Sequence, residues 1–176
     1  GSEMWYKRQI QSLGVMLAGV MLGPWRGMQS MLLFLAAVAV GLPLLSGGRG
    51  GIAVFMAPSA GYLLGYPLAA CIAGLVMRAL PQGSPRRAAF SAFAASALGG
   101  LVALHAFGVL GLMLMAKLSL SQAFMATLLF VPGDLIKCVL CALVVHTVAR
   151  GMPDWPFGGR QHLSLIHISE PTRQEA

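Results

Sequence analysis

Val131-Pro-Gly-Asp134-Leu-Ile-Lys137-Cys-Val-Leu-Cys-Ala-Leu-Val-Val-His-Thr-Val-Ala-Arg150 reads as an apolar segment of about 20 residues, the length needed to cross a bilayer as a helix. Asp134 stands at its mouth and is the only acid between Ile10 and Met152. A carboxylate at membrane depth is costly unless paired or hydrated, and so marks a functional site. Lys137 follows at i+3, which on a helix puts both groups on one face, an acceptor and a cation one turn apart. Such a pair suits a ligand carrying hydrogen-bond donors and an acid group. The same spacing also suits a local ion pair that closes a helix end, with Pro132 and Gly133 serving as the break before it.

The rest of the chain agrees with a membrane setting. Of 176 residues, 57% are hydrophobic and 10% charged, and the mean hydropathy is +0.78. This composition belongs to polytopic membrane proteins and excludes a soluble domain. The net charge of +7 would suggest nucleic acid in a soluble protein. Here the basic residues sit singly in short loops between apolar runs, where they act as topology signals. Cys138 and Cys141 form a C-x-x-C without a second pair or a histidine cluster, so packing rather than metal binding is expected of them and of Cys71. His105 and His146 stand alone on apolar segments, where a structural, hydrogen-bonded role is expected.

Five apolar segments follow one another, and together they predict an all-α, polytopic helical bundle. The first runs from Ile10 to Gly23 and ends in a turn, Gly23-Pro-Trp-Arg-Gly27. The second, from Met28 to Val40, stops before Pro43, since the residue preceding a proline disfavours continued helix. Beyond the glycine-rich loop at residues 46–51, the third reaches from Ile52 to Leu80. Pro58 and Gly61 divide it, predicting an irregular entry over 53–60 and a helix from Gly61. Irregular backbone at membrane depth is tolerated only against protein or a cavity. The fourth covers Ala88 to Met115, and a connection over 116–122 leads to the fifth, which begins at Pro132 or earlier. Gly19 with Gly23, and Gly61 with Gly65, form G-x-x-x-G pairs expected to bring helices close together.

Arg26, Arg78, Arg86, Arg87 and Arg150 fall on one side of this arrangement, and Arg49 and Lys117 on the other. The richer side is expected to be cytoplasmic. Asp134 and the glycine-rich loop then lie toward the outside. The two ends read differently from the rest. Residues 163–176 and 1–9 resemble translated sequencing-adapter sequence and are expected to be non-native. The native membrane domain is then expected over 10–162, with coding sequence missing upstream of Ile10.

Three passages, Gly41-Leu-Pro-Leu-Leu-Ser-Gly-Gly-Arg-Gly-Gly51, Pro58-Ser-Ala-Gly-Tyr-Leu-Leu-Gly-Tyr-Pro-Leu-Ala-Ala70 and Pro132-Gly-Asp-Leu-Ile-Lys137, closely resemble BioY, the biotin-binding substrate subunit of energy-coupling-factor transporters. The resemblance extends over nearly all of Ile10 to Arg150. It implies a six-helix bundle, of which five helices are visible here, that takes up biotin at the plasma membrane. A coupling membrane subunit and ABC-type ATPase subunits are the implied partners. It further implies that Asp134 accepts from the ureido ring and that Lys137 meets the valerate carboxylate. Ser59, Gly61 and Tyr62 would then form the opposing wall, and Arg49 would lie at the outer gate. This chain carries Ala57-Pro-Ser-Ala-Gly-Tyr62 where the family commonly has Gly-Pro-Thr-Gly-Gly-Tyr.

No phosphate-binding loop of the G-x-x-x-x-G-K-[ST] form is present, so ATP hydrolysis must come from partners. No cofactor is implied, with biotin as the transported ligand, and no nucleic acid as a partner. Two other readings remain at this level. One is an intramembrane enzyme using Asp134, although the second carboxylate or Ser/His pair that would serve it is missing. The other is a substrate subunit for a different small vitamin.

Overall fold

The computed structural model describes residues 2–44, 50–57 and 60–159, with side chains described from Ile10 onward, and the described residues form helices joined by short turns. Seven α-helices follow in order: α1 (Ser2–Leu22), α2 (Pro24–Ala39), α3 (Ala60–Ala79), α4 (Pro85–Ser96), α5 (Leu104–Met115), α6 (Leu120–Leu128) and α7 (Val131–Gly151). A 3-10 turn at Ile52–Met56 precedes α3, and a second at Phe157–Gly159 follows α7. Between α4 and α5 the chain stays helical through a π-helical segment, Ala97–Ala103. Three of these runs, Ala60–Ala79, Pro85–Met115 and Val131–Gly151, are long and apolar enough to cross a membrane, and Ile10–Leu22 is a shorter apolar helix.

The boundaries differ from the sequence reading: α4 starts at Pro85 rather than Ala88, α6 is an additional short helix, and two further junctions are tighter than expected. Gly23-Pro24-Trp25-Arg26-Gly27 is not an extended turn: Gly23 alone leaves the helical region, at φ 95°, and α2 starts at Pro24. Proline at the first helical position forfeits no hydrogen bond and is pre-set in φ. The connection expected over 116–122 is also shorter. Ser119 caps α6, its side chain accepting from the Gln122 N–H while the Gln122 side chain accepts from the Ser119 N–H. This reciprocal box satisfies two otherwise orphaned donors and starts the helix at Leu120. The divided third segment is found as read, with the 3-10 turn before α3.

Helix α3 is the centre of the bundle, touching α1, α2, α4 and α5, while α7 packs mainly along α4. Small residues make these contacts. Ala69, Ala70, Ala73, Ala88, Ala92 and Ala95 are all but inaccessible, whereas Leu33, Phe90 and Leu114 are more than 70% exposed. Large apolar groups outside and small ones inside is the pattern of helices solvated by lipid, where association depends on close backbone approach. Gly61 meets the Phe107 carbonyl and Gly111 of α5, Gly65 meets the Phe107 ring, and Gly19 meets the Ala70 carbonyl of α3.

Opposite ends of the bundle have different character. At one end the chain after α7 folds back as a clamp: Trp155 Nε1 donates to the Met21 carbonyl (3.1 Å), Arg78 Nε to the Gly158 carbonyl (2.9 Å) and Gln82 Nε2 to the Phe157 carbonyl (3.1 Å). The other end carries the 3-10 turn before α3, the α5–α6 junction and the start of α7.

A Cβ at Gly99 would lie 2.7 Å from both the Ala69 carbonyl oxygen and the Ala73 Cβ, whereas Gly14 has nothing within 4 Å. Gly99→Ala is therefore expected to destabilise the protein by about 1–3 kcal/mol through overpacking. Gly14→Ala should be neutral or stabilising by up to about 1 kcal/mol, since alanine favours helix over glycine. Thermal melting of both variants in detergent checks this, and equal melting points would show that α3 and the π-helical segment are not held in close contact.

Candidate functional site

Pro132 occupies the first turn of α7, where its missing N–H is not needed, and this turn presents Asp134 with its side chain directed into the bundle. The first turn of a helix carries the positive end of the helix dipole, which favours a carboxylate there by about 0.3–1 kcal/mol. Asp134 and Lys137 are among the most enclosed polar residues of the described chain, at 5% and 6% exposure. Lys137 Nζ donates to Asp134 Oδ1 at 2.7 Å and also to Ser12 Oγ on α1. The other carboxylate oxygen, Oδ2, meets His105 Nε2 from α5.

Four side chains from three helices thus form one buried polar chain, Ser12–Lys137–Asp134–His105. The Tyr62 ring continues it, standing edge-on to His105 with centroids 6.0 Å apart and planes at 89°. Tyr62 in turn lies against Gly108 of α5, where any side chain would collide with its ring. The Tyr62 hydroxyl and His105 Nδ1 are buried without a hydrogen-bond partner among the described residues. No group of three or more metal-ligating side chains is found among the described residues.

Among the residues singled out from sequence, Asp134, Lys137 and Tyr62 fall in this one region. Gly61 adjoins it but turns toward the α5 backbone. Ser59 and Arg49 lie outside the described residues. His105 and Ser12 are the residues the sequence reading missed. As a lone histidine on an apolar segment His105 carries only the expectation of a structural role, yet it is the α5 partner of the sole acid in the apolar region. The signal available was that a single buried carboxylate needs more than one donor. A lone histidine on an apolar segment carries no sequence signal of which helix it faces, and the π-helical segment ending at Ala103 further shifts the register of α5 relative to α4.

The spare bonding capacity is chemically specific. A carboxylate offers about four lone-pair positions, and an ammonium three N–H donors. Among the described residues, Asp134 has one side-chain contact on each oxygen, and Lys137 directs donors to two partners. Counted against the described residues, acceptor capacity on Asp134 and one donor on Lys137 are left over.

Comparison with known proteins places the chain in a described class. The model of the BioY family matches residues 8–154. A biotin transporter BioY of Rhizobium etli is 44% identical over 150 residues, covering 83% of this chain and 79% of that protein. One from Rhodobacter capsulatus is 43% identical over 153 residues, covering 82% and 79% respectively. A crystal structure of the S-component for biotin from an ECF-type ABC transporter is similar at 32% identity, with a TM-score of 0.74, covering 80% of this chain and 74% of that one.

Removing one member of a buried ion pair strands the other charge, at a cost of about 3–5 kcal/mol, whereas removing both is far less harmful. Asp134→Leu is accordingly expected to lower the melting temperature sharply. Asp134→Leu combined with Lys137→Met should recover most of the loss. A double variant no more stable than the single one would show that the two groups are not coupled in the folded protein.

Proposed function

We propose a function from one premise: this chain belongs to the BioY family. It is the biotin-binding membrane subunit of an energy-coupling-factor transporter, and it takes biotin up without covalent chemistry of its own. The observation that carries the reading of the site is the buried Asp134–Lys137 pair, with bonding capacity left on each partner. Biotin bears ureido N–H donors at one end and a carboxylate at the other. Asp134 accepts from the ureido ring, and Lys137 donates to the valerate carboxylate, both through charge-assisted bonds of the stronger kind. Tyr62 lends the face of its ring and its hydroxyl. Gly61 acts by letting α3 approach α5, which sets Tyr62 where it is. Ser59 and Arg49 belong to this proposal on sequence grounds, as a wall residue just before α3 and a gate residue in the glycine-rich loop.

Transport against a gradient requires energy, and the chain carries no phosphate-binding loop. Partner subunits supply it: an ABC-type ATPase, and a membrane subunit that couples ATP hydrolysis to movement of this one. The three long apolar helices set the protein in a membrane, and the proposal makes that the plasma membrane. Arg26, Arg78, Arg86, Arg87 and Arg150 face the cytoplasm, and the start of α7 faces outward, following the excess of basic residues on inner loops.

Hydrogen bonds to charged groups contribute about 1.5–3 kcal/mol. Asp134→Asn is thus expected to weaken binding of biotin and of its carboxamide alike, by roughly tenfold or more. Lys137→Ala should weaken biotin more than the carboxamide. Equilibrium binding in detergent tests the division, and parent-like affinity of Asp134→Asn for both ligands would remove Asp134 from the site and favour a local ion pair.

Sidedness is tested separately by labelling cysteines in intact cells. Gly83→Cys, between α3 and α4, should react only with a permeant reagent, and Ser121→Cys, at the start of α6, should react with an impermeant one. The reverse pattern would invert the orientation and with it the direction of uptake.

A further inference from the structure

The buried chain of polar groups contains two members to which the ligand scheme above gives no task, Ser12 and His105, and of these it is His105 that touches the carboxylate. His105 reaches Asp134 from a different helix, its Nε2 against Oδ2, with only 14% of its side chain exposed. Asp134 Oδ1 is already engaged by Lys137, on the same helix and one turn away. A carboxylate held by a single neighbour on its own helix can still swing about its side-chain bonds. Held at both oxygens, from α7 and from α5, it is fixed in plane and direction. We propose that His105 is a positioning residue for ligand recognition: by donating from Nε2 to Asp134 Oδ2 it orients the carboxylate toward the ureido ring, so that ring discrimination depends on His105.

Three features of the surroundings fit this role. An ionised carboxylate only accepts hydrogen bonds, so the proton on the contacting ring nitrogen is Nε2–H. The ring is itself braced, since Tyr62 stands edge-on to it and is pinned against Gly108, one turn further along α5. The π-helical segment ends at Ala103, two residues before His105, and π-helical turns re-aim the residues that follow them and recur at functional sites. Turned by the usual helical increment alone, the residue at 105 would present a different face. A histidine serving only to fill space would need neither the directed nitrogen nor the altered register.

The inference rests on the biotin reading, and the experiment separates the two. Glutamine carries its amide at about the reach of Nε2, whereas asparagine stops near Nδ1, so two amides of similar polarity differ in whether they reach Asp134. Affinities for biotin, for biotin carboxamide and for 2-iminobiotin, whose ring is altered, are measured for the parent, His105→Gln, His105→Asn, and Asp134→Asn alone and combined with His105→Asn. Melting temperatures are measured alongside. His105→Asn should lose about tenfold or more in biotin affinity and most of the preference for biotin over 2-iminobiotin, with the biotin-to-carboxamide ratio unchanged. His105→Gln should retain affinity within about threefold. Adding His105→Asn to Asp134→Asn should cost little more than Asp134→Asn alone, because the positioned group is already gone.

Equal affinities of the Gln and Asn variants, additive losses, or an unchanged ring preference would overturn the role of His105 while leaving biotin binding through Asp134 intact. Failure of the parent protein to bind biotin would overturn the biotin reading and this inference with it.

Discussion

An ionised carboxylate inside a bundle of apolar helices has to be met by donors, and the placing of Asp134 organises the end of the bundle where α7 begins. Lys137 alone leaves one oxygen and two of its own protons to be accounted for. The structure supplies His105 for the oxygen and Ser12 for a proton, which ties α7 to α5 and to α1. These ties are directional, unlike the packing elsewhere. In lipid there is little hydrophobic force pressing one helix on another, so a buried polar chain that fixes three helices in register has consequences beyond its own energy.

The packing that surrounds it depends on subtraction. Where α3 crosses α5, Gly61, Gly65, Gly108 and Gly111 remove side chains from both surfaces, and the room so made is taken by the Tyr62 and Phe107 rings. Where α3 meets α1, Gly19 does the same against the Ala70 carbonyl. A separate apolar cluster holds Met16, Met77, Cys138, Cys141 and Val145 fully enclosed. Cys138 and Cys141, read from sequence as packing residues, belong to this cluster. The end clamped by the turn after α7 is held by side-chain bonds to backbone carbonyls, and the end where α7 begins by charged and aromatic contacts.

Much of this was legible in the sequence because the relevant forces act locally. Apolar length, proline and glycine mark the helices, and i, i+3 spacing pairs Asp134 with Lys137 on one helix, as found at 2.7 Å. The resemblance to BioY rested on short passages at fixed order, and family membership agrees with it. Less legible were contacts that depend on how separate helices are rotated. Ser12 is a common residue on an apolar helix, without a sequence signal that it faces Lys137. His105 was visible as a lone polar residue, but its direction is set by the π-helical segment, which no period-3.6 reading anticipates. Helix starts were misjudged where a single residue decides them, as at Gly23 and at Ser119 with Gln122.

The distribution of the site over helices bears on how a binding subunit can report its state. Asp134 and Lys137 sit on α7, but their remaining partners sit on α1 and α5, and Tyr62 comes from α3. A ligand that takes up capacity on Asp134 and Lys137 therefore changes the forces on four helices at once, while making direct bonds to few of them. Helices joined only by small-residue contacts slide and tilt with little loss of burial, since their outer surfaces are apolar all round and lipid replaces one neighbour by another. Directional bonds resist that freedom. On the proposed ligand scheme, occupancy at the start of α7 bears on the contacts that tie α1, α3, α5 and α7 together, and not on α7 alone.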